Sequence, residues 1–158
     1  MKEAFYTVRG YQLLEQHLNH LTPSLEDYLE MICRGIQQNG AIRVKDLAKD
    51  LNVKPSSASK MIQKLAELGF IDYEKYGAIR LTEQGKEVGQ YLLWRHNALR
   101  AFFQLLAPDN QEASLVEAEL TEHILSRETV ERLEHLTQFF AAKPEIYQQM
   151  QRFQQSGK

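Results

Sequence analysis

Apolar residues recur at helical spacing along most of this chain, and turn residues or short alternating segments break the pattern where it stops. Phe5, Tyr6, Val8, Tyr11, Leu13, Leu14, Leu18 and Leu21 partly fit one helical face, which predicts a helical N-terminal extension over residues 1–21. Thr22-Pro23-Ser24 then signals a helix start, with a capping hydroxyl, a proline suited to the first turn and acidic Glu26 close behind. That helix should run to about Gln38, where Asn39-Gly40 stops it. Ala41-Ile42-Arg43-Val44 reads as short and extended, and VKDLAKDL as the next helix. After Leu51-Asn52-Val53-Lys54, a second helix opens at Pro55 with Ser56 and Ser57 and runs through Leu68 to Gly69. Leu47, Ala48, Leu51, Val53, Ala58, Met61, Ile62 and Leu65 would give this helix-turn-helix its shared core.

FIDYEKYGAIRLT contains two short alternating segments around Lys75-Tyr76-Gly77, the pattern of a β-hairpin. A hairpin directly after the second helix of a helix-turn-helix is the wing of a winged helix. Thr82 caps a long helix that Pro108 ends, and three further helices are expected over about 110–125, 127–141 and 144–155. The fold class is therefore mainly α: a winged helix-turn-helix with a small β-hairpin wing over residues 22–90, followed by an all-helical domain over 91–158.

Composition narrows what this fold does. With 158 residues and 43% of them hydrophobic, the chain can build a real core in one ordinary domain or two small ones. The net charge of -2 carries no global basic excess, so any nucleic-acid affinity must come from a local patch. Cys33 is the single cysteine, which excludes an intramolecular disulfide and a cysteine-rich zinc module and suits a reducing cytoplasm. No apolar run approaches the roughly 20 residues of a membrane span, and the start MKEAFYTVRG lacks the apolar stretch of a signal peptide, so a soluble cytoplasmic protein without a membrane partner is expected.

In a helix-turn-helix the second helix enters the major groove with its N-terminal residues at base edges. KPSSASKMIQKL should therefore present Lys54, Ser56, Ser57, Ser59, Lys60 and Lys64 to double-stranded DNA, with Lys75 and Arg80 of the wing beside them. Short hydroxyls at a helix N-terminus let the backbone amides approach phosphate closely. The local basic excess is mild, and winged helices also mediate protein contacts.

A second constellation concerns metal. Asp27 with Glu30, then His96, then Glu119, Glu122 and His123 form three clusters of potential ligands on predicted helices, and residues three or four apart share a helical face. Carboxylates and imidazoles without a thiolate suit Mn²⁺, Fe²⁺, Co²⁺ or Zn²⁺ better than Cu(I) or an iron–sulfur cluster. Four carboxylates and two imidazoles exceed one ion's needs, which allows two ions sharing bridging carboxylates. His17 and His20, three apart near the N-terminus, read as polar-face histidines and stay outside this set. A di-metal carboxylate oxidase in a helical bundle is the alternative, but its paired Glu-x-x-His motifs are absent, as are the zincin motif, a nucleophile elbow and a Gly-rich phosphate loop. Leu92, Leu93, Phe102, Phe103, Leu105, Leu106, Phe139 and Phe140 read as core and subunit interface.

TPSLEDYLEMI, VKPSSASKMIQKLAELGFIDYEKYGAIRLTEQGKEVG, WRHNALRAFF and EAELTEHILS together resemble the manganese-responsive repressors of the DtxR family of metal-dependent regulators, over about residues 22–141. The resemblance implies a helical metal-binding and dimerisation domain over 91–158 and a homodimer that binds operator DNA when charged with Mn²⁺, two ions per subunit, with Fe²⁺, Co²⁺, Zn²⁺ or Cd²⁺ as substitutes. It also implies that Asp27, Glu30, His96, Glu119, Glu122 and His123 are the ligands, and that manganese-uptake genes are repressed. Iron-responsive relatives resemble this pattern but carry a cysteine at the place matching Glu122, so a carboxylate there points to Mn²⁺. Cys33 matches no ligand position and reads as a packed thiol. Residues 1–21 precede the similar stretch, which ends with the helical region and leaves no counterpart of the SH3-like third domain of longer relatives.

Overall fold

The computed structural model describes residues 16–74 and 77–157, in two compact units that divide between Leu93 and Trp94. The helix expected over residues 1–21 lies mostly outside the described residues, of which 16–18 are helical. In the first unit, α1 (Pro23–Asn39) starts where Thr22 Oγ1 accepts from Leu25 N and ends at Gly40, whose φ of 75° is left-handed and unstrained only for glycine. α2 (Val44–Asp50) and α3 (Pro55–Glu67) follow, joined through Asn52 at φ 52°. Strands β1 (Ile71–Asp72) and β2 (Arg80–Leu81) pair antiparallel with Ile71 opposite Leu81, and Ile42 adds an isolated bridge to Ile79. Ala41-Ile42-Arg43-Val44, read as extended, thus contributes a third edge to the wing at Ile42.

The core of this unit closes on residues one helical turn apart: Leu29 and Ile32 of α1, Leu47 of α2, Ile62 and Leu65 of α3, with Phe70 and Ile79, all at 0–1% exposure. Each side chain of this size contributes about 1.5–3 kcal/mol on full burial. Ala58 and Ala48 are also buried as their periodicity requires, but Val53, expected in the core, is 37% exposed because it sits in the turn between α2 and α3.

α4 (Glu83–Leu106) opens at Thr82, whose Oγ1 accepts from Gly85 N at 3.0 Å while donating to Gly69 O at 2.7 Å. Gly85 is there because of space: a Cβ on it would lie 1.8 Å from Phe70 O. Thr82 N also donates to that carbonyl, so the wing and the start of α4 are locked around one peptide group.

The second unit takes the rest of α4 with α5 (Gln111–Thr121), α6 (Arg127–Ala142) and α7 (Pro144–Ser156). Ala98, Leu99, Ala118 and Val130 form its core, with Trp94, Phe103, Leu125 and Leu133 packed against them. Asn110 and Ser126 cap α5 and α6 by accepting from Ala113 N and Thr129 N. α5 ends at Thr121, four residues before the expected boundary, so Glu122 and His123 lie in the turn after the helix.

Candidate metal centre and nucleic-acid interface

Ionisable side chains are rarely buried without partners, yet Glu30, Arg95, His96 and Glu122 all are at most 5% exposed. In the second unit, the middle of α4 supplies His96 and the turn after α5 supplies Glu122. His96 Nδ1 lies 2.9 Å from Glu122 Oε2, and with an ionised carboxylate the proton must sit on Nδ1. A carboxylate on one ring nitrogen fixes the tautomer and orientation of the imidazole, the arrangement usual for a metal-binding histidine. His123 Nε2 is 3.7 Å from Glu122 Oε1, and Arg95 Nη2 is 3.4 Å from His123 Nδ1. A guanidinium can only donate, so Nδ1 of His123 accepts.

Glu122 thus stands close to both histidines, with one carboxylate oxygen toward His96 and the other toward His123. Glu119 is exposed on α5 and joins no group of three potential ligands among the described residues. In the first unit Asp27 and Glu30 stand three apart on α1, Asp27 partly exposed and Glu30 buried with Arg34 as ion-pair partner. These donors fit a divalent cation of hard or borderline character: oxygen and nitrogen only, two of the carboxylates buried where negative charge needs compensation. Cys33, one turn from Glu30, does not offer sulfur. Burial first, then the charge of Glu30, pushes its thiol up to about 11, so it stays protonated at neutral pH.

The candidates for DNA contact sit on α3 and at the wing. Lys54, in extended conformation, is the N-cap of α3 and Pro55 its first residue. Lys54, Ser56, Ser57, Lys60 and Lys64 are exposed and Ser59 is half-buried. Lys64 Nζ reaches Glu67 Oε2 at 3.4 Å, a solvent-exposed pair that costs little to break. Arg80 is exposed on β2, and Lys75 lies outside the described residues.

Two arginines beside the candidate ligands were not singled out from the sequence. Arg34 had a signal, its spacing of four from Glu30. Arg95 had none, because an arginine is expected at the surface.

A winged helix followed by a helical unit that buries carboxylate and imidazole together defines a metal-dependent DNA-binding regulator. The chain belongs to the iron-dependent repressor family. Residues 20–79 match that family's N-terminal DNA-binding domain and residues 82–151 its metal-binding and dimerisation domain. The HTH-type transcriptional regulator MntR of Bacillus pumilus is 39% identical over 136 residues, covering 86% of this chain and 94% of that protein. The MntR of Geobacillus thermodenitrificans is 43% identical over 119 residues, covering 75% and 84%. Among solved structures, a manganese-dependent transcriptional repressor in complex with manganese superposes with a TM-score of 0.63 at 30% identity, covering 73% of this chain and 53% of that one. ScaR with bound Zn²⁺ gives 0.59 at 28% identity, covering 73% and 54%. This chain therefore spans about half the length of those two solved chains. The protein is a metal-dependent transcriptional repressor and not the di-metal oxidase that its carboxylates alone would allow. Among the described residues, no helix is long and apolar enough to cross a membrane.

Proposed function

We propose that this chain is a Mn²⁺-dependent repressor of manganese-uptake genes, acting in the cytoplasm as a homodimer on double-stranded operator DNA. Residues 22–90 form the DNA-reading domain and 91–158 the metal-binding and dimerisation domain. Asp27, Glu30, His96, Glu119, Glu122 and His123 are its ligands, enough for two ions per subunit, with Fe²⁺, Co²⁺, Zn²⁺ or Cd²⁺ as substitutes. The observation that carries this reading is the buried pair of His96 and Glu122 beside His123, a sulfur-free donor set. The names of the relatives add support for Mn²⁺, and the zinc-bound neighbour for substitution.

A bound divalent cation supplies positive charge and a coordination shell that several side chains share. Asp27 and Glu30 belong to the DNA-reading half and the other four ligands to the dimerisation half. Ligands drawn from both halves restrict the spacing of the two winged helices of a dimer, which must meet half-sites about one helical turn, or a multiple, apart. Restricting that spacing beforehand removes part of the ordering cost of DNA binding. Carboxylates that have been neutralised also repel phosphate less. Lys54, Lys60, Lys64, Lys75 and Arg80 meet phosphates, and Ser56, Ser57 and Ser59 stand at the helix entry where bases are read.

The test is binding to a candidate palindrome at matched free Mn²⁺, Fe²⁺, Co²⁺ and Zn²⁺, for the wild type and for Asp27→Ala. Mn²⁺ should tighten wild-type binding, and Asp27→Ala should lose much of that gain while remaining a folded dimer. Allosteric couplings of this kind are about 5- to 150-fold in affinity. Equal DNA affinity with and without metal rejects the reading, and an unimpaired Asp27→Ala rejects the coupling of the two halves.

A further inference from the structure

Arg34 follows Glu30 by one helical turn on α1, and its Nη2 donates to Glu30 Oε1 at 2.5 Å. The two partners differ in access: the Glu30 side chain is 7% exposed and that of Arg34 32%. A buried carboxylate cannot escape to water and needs a positive partner where it stands. A half-exposed arginine can turn its head into solvent while its stem stays packed.

We propose that Arg34 is a resident counter-cation for Glu30 which an incoming divalent cation must displace, so that Arg34 sets the metal concentration at which the chain responds. The inference rests on the reading of Glu30 as a ligand. A carboxylate has two oxygens, and a guanidinium that kept one while the metal took the other would instead orient the ligand and strengthen binding. The charges decide between these roles. Centres of +1 and +2 held about 5 Å apart across one desolvated carboxylate repel by more than a single hydrogen bond returns. The arginine is the partner free to leave. In the metal-free protein it stabilises buried Glu30, and in the metal-loaded protein that task passes to the ion. Metal affinity is accordingly lowered by the strength of the ion pair that must first open.

The experiment measures Mn²⁺ affinity of the full chain without DNA, by competition with a chelating dye, together with melting temperatures of the metal-free and metal-loaded protein. Arg34→Gln keeps a hydrogen-bond donor but removes the charge, and it should tighten Mn²⁺ binding about two- to fivefold, the scale of a partly exposed ion pair. Its metal-free melting temperature should fall more than its metal-loaded one. Arg34→Lys, which keeps the charge, should stay closer to wild type. Unchanged or weaker Mn²⁺ binding in Arg34→Gln overturns the proposal. Glu30→Gln separates the two failures: it should weaken Mn²⁺ binding, and an unaltered affinity there defeats the ligand reading itself and this inference with it.

Discussion

His96 and Glu122 meet at 2.9 Å although 26 positions separate them, and each side chain is only 3% exposed. A carboxylate this deeply buried does its work through the ion or proton it faces, so its chemistry should set metal choice. Glu122→Cys should shift activation from Mn²⁺ toward Fe²⁺ or Zn²⁺, because a thiolate suits those softer ions better. DNA affinity measured with each metal at matched free concentration checks this. An unchanged preference for Mn²⁺ would remove Glu122 from the selectivity argument.

On α3, Lys60 and Lys64 project into solvent from the helix that begins at Pro55. A lysine that contacts phosphate contributes counterion release, so its removal weakens binding to every sequence alike. Lys60→Ala should lower the slope of log K against log salt by about 1 unit, and the double change with Lys64→Ala by more. Titrations at several salt concentrations give the slope directly. Equal slopes in wild type and double mutant would place the DNA surface elsewhere.

The Cys33 thiol is raised from 9.0 to about 11 in the folded chain, by burial first and then by the charge of Glu30. Folding therefore favours the protonated form. Below the unfolded pKa both states hold the proton and the contribution is whole. As pH climbs from about 9 to about 11 the unfolded chain ionises first, and stability on the order of 2 kcal/mol is lost. Denaturant midpoints across this window should fall in the wild type and fall less in Cys33→Ala. Alkylation of the native thiol at pH 7 should likewise be much slower than that of the unfolded chain.

Gly85 faces Phe70 O so closely that a Cβ would sit 1.8 Å from it. Gly85→Ala must push the start of α4 away from the wing or move the Phe70 peptide, which also accepts from Thr82 N. The cost should be about 3 kcal/mol or more, in the range of overpacked core sites. A urea midpoint within error of wild type would show that the contact relaxes cheaply.

Local chemistry was legible in the linear order of residues. Thr22-Pro23, Asn39-Gly40, Pro55 and Thr82 mark helix ends through hydroxyl caps, a fixed φ or a left-handed turn, and each needs only its neighbours to act. The winged helix was readable for the same reason, since apolar spacing along α1 to α3 and alternation at Ile71 and Ile79 reflect a core a few residues away. The identity of His96, Glu122 and His123 as candidate ligands was also present, as residue types at helical spacing. Tertiary structure alone decided which of them meet. It ended α5 at Thr121, turned Glu122 onto His96 rather than along a face with Glu119, and left Val53 exposed despite its apolar character. It also buried Arg95 against His123 and paired Arg34 with Glu30. Burial depends on what packs across from a side chain, and periodicity along one segment carries no information about the partner.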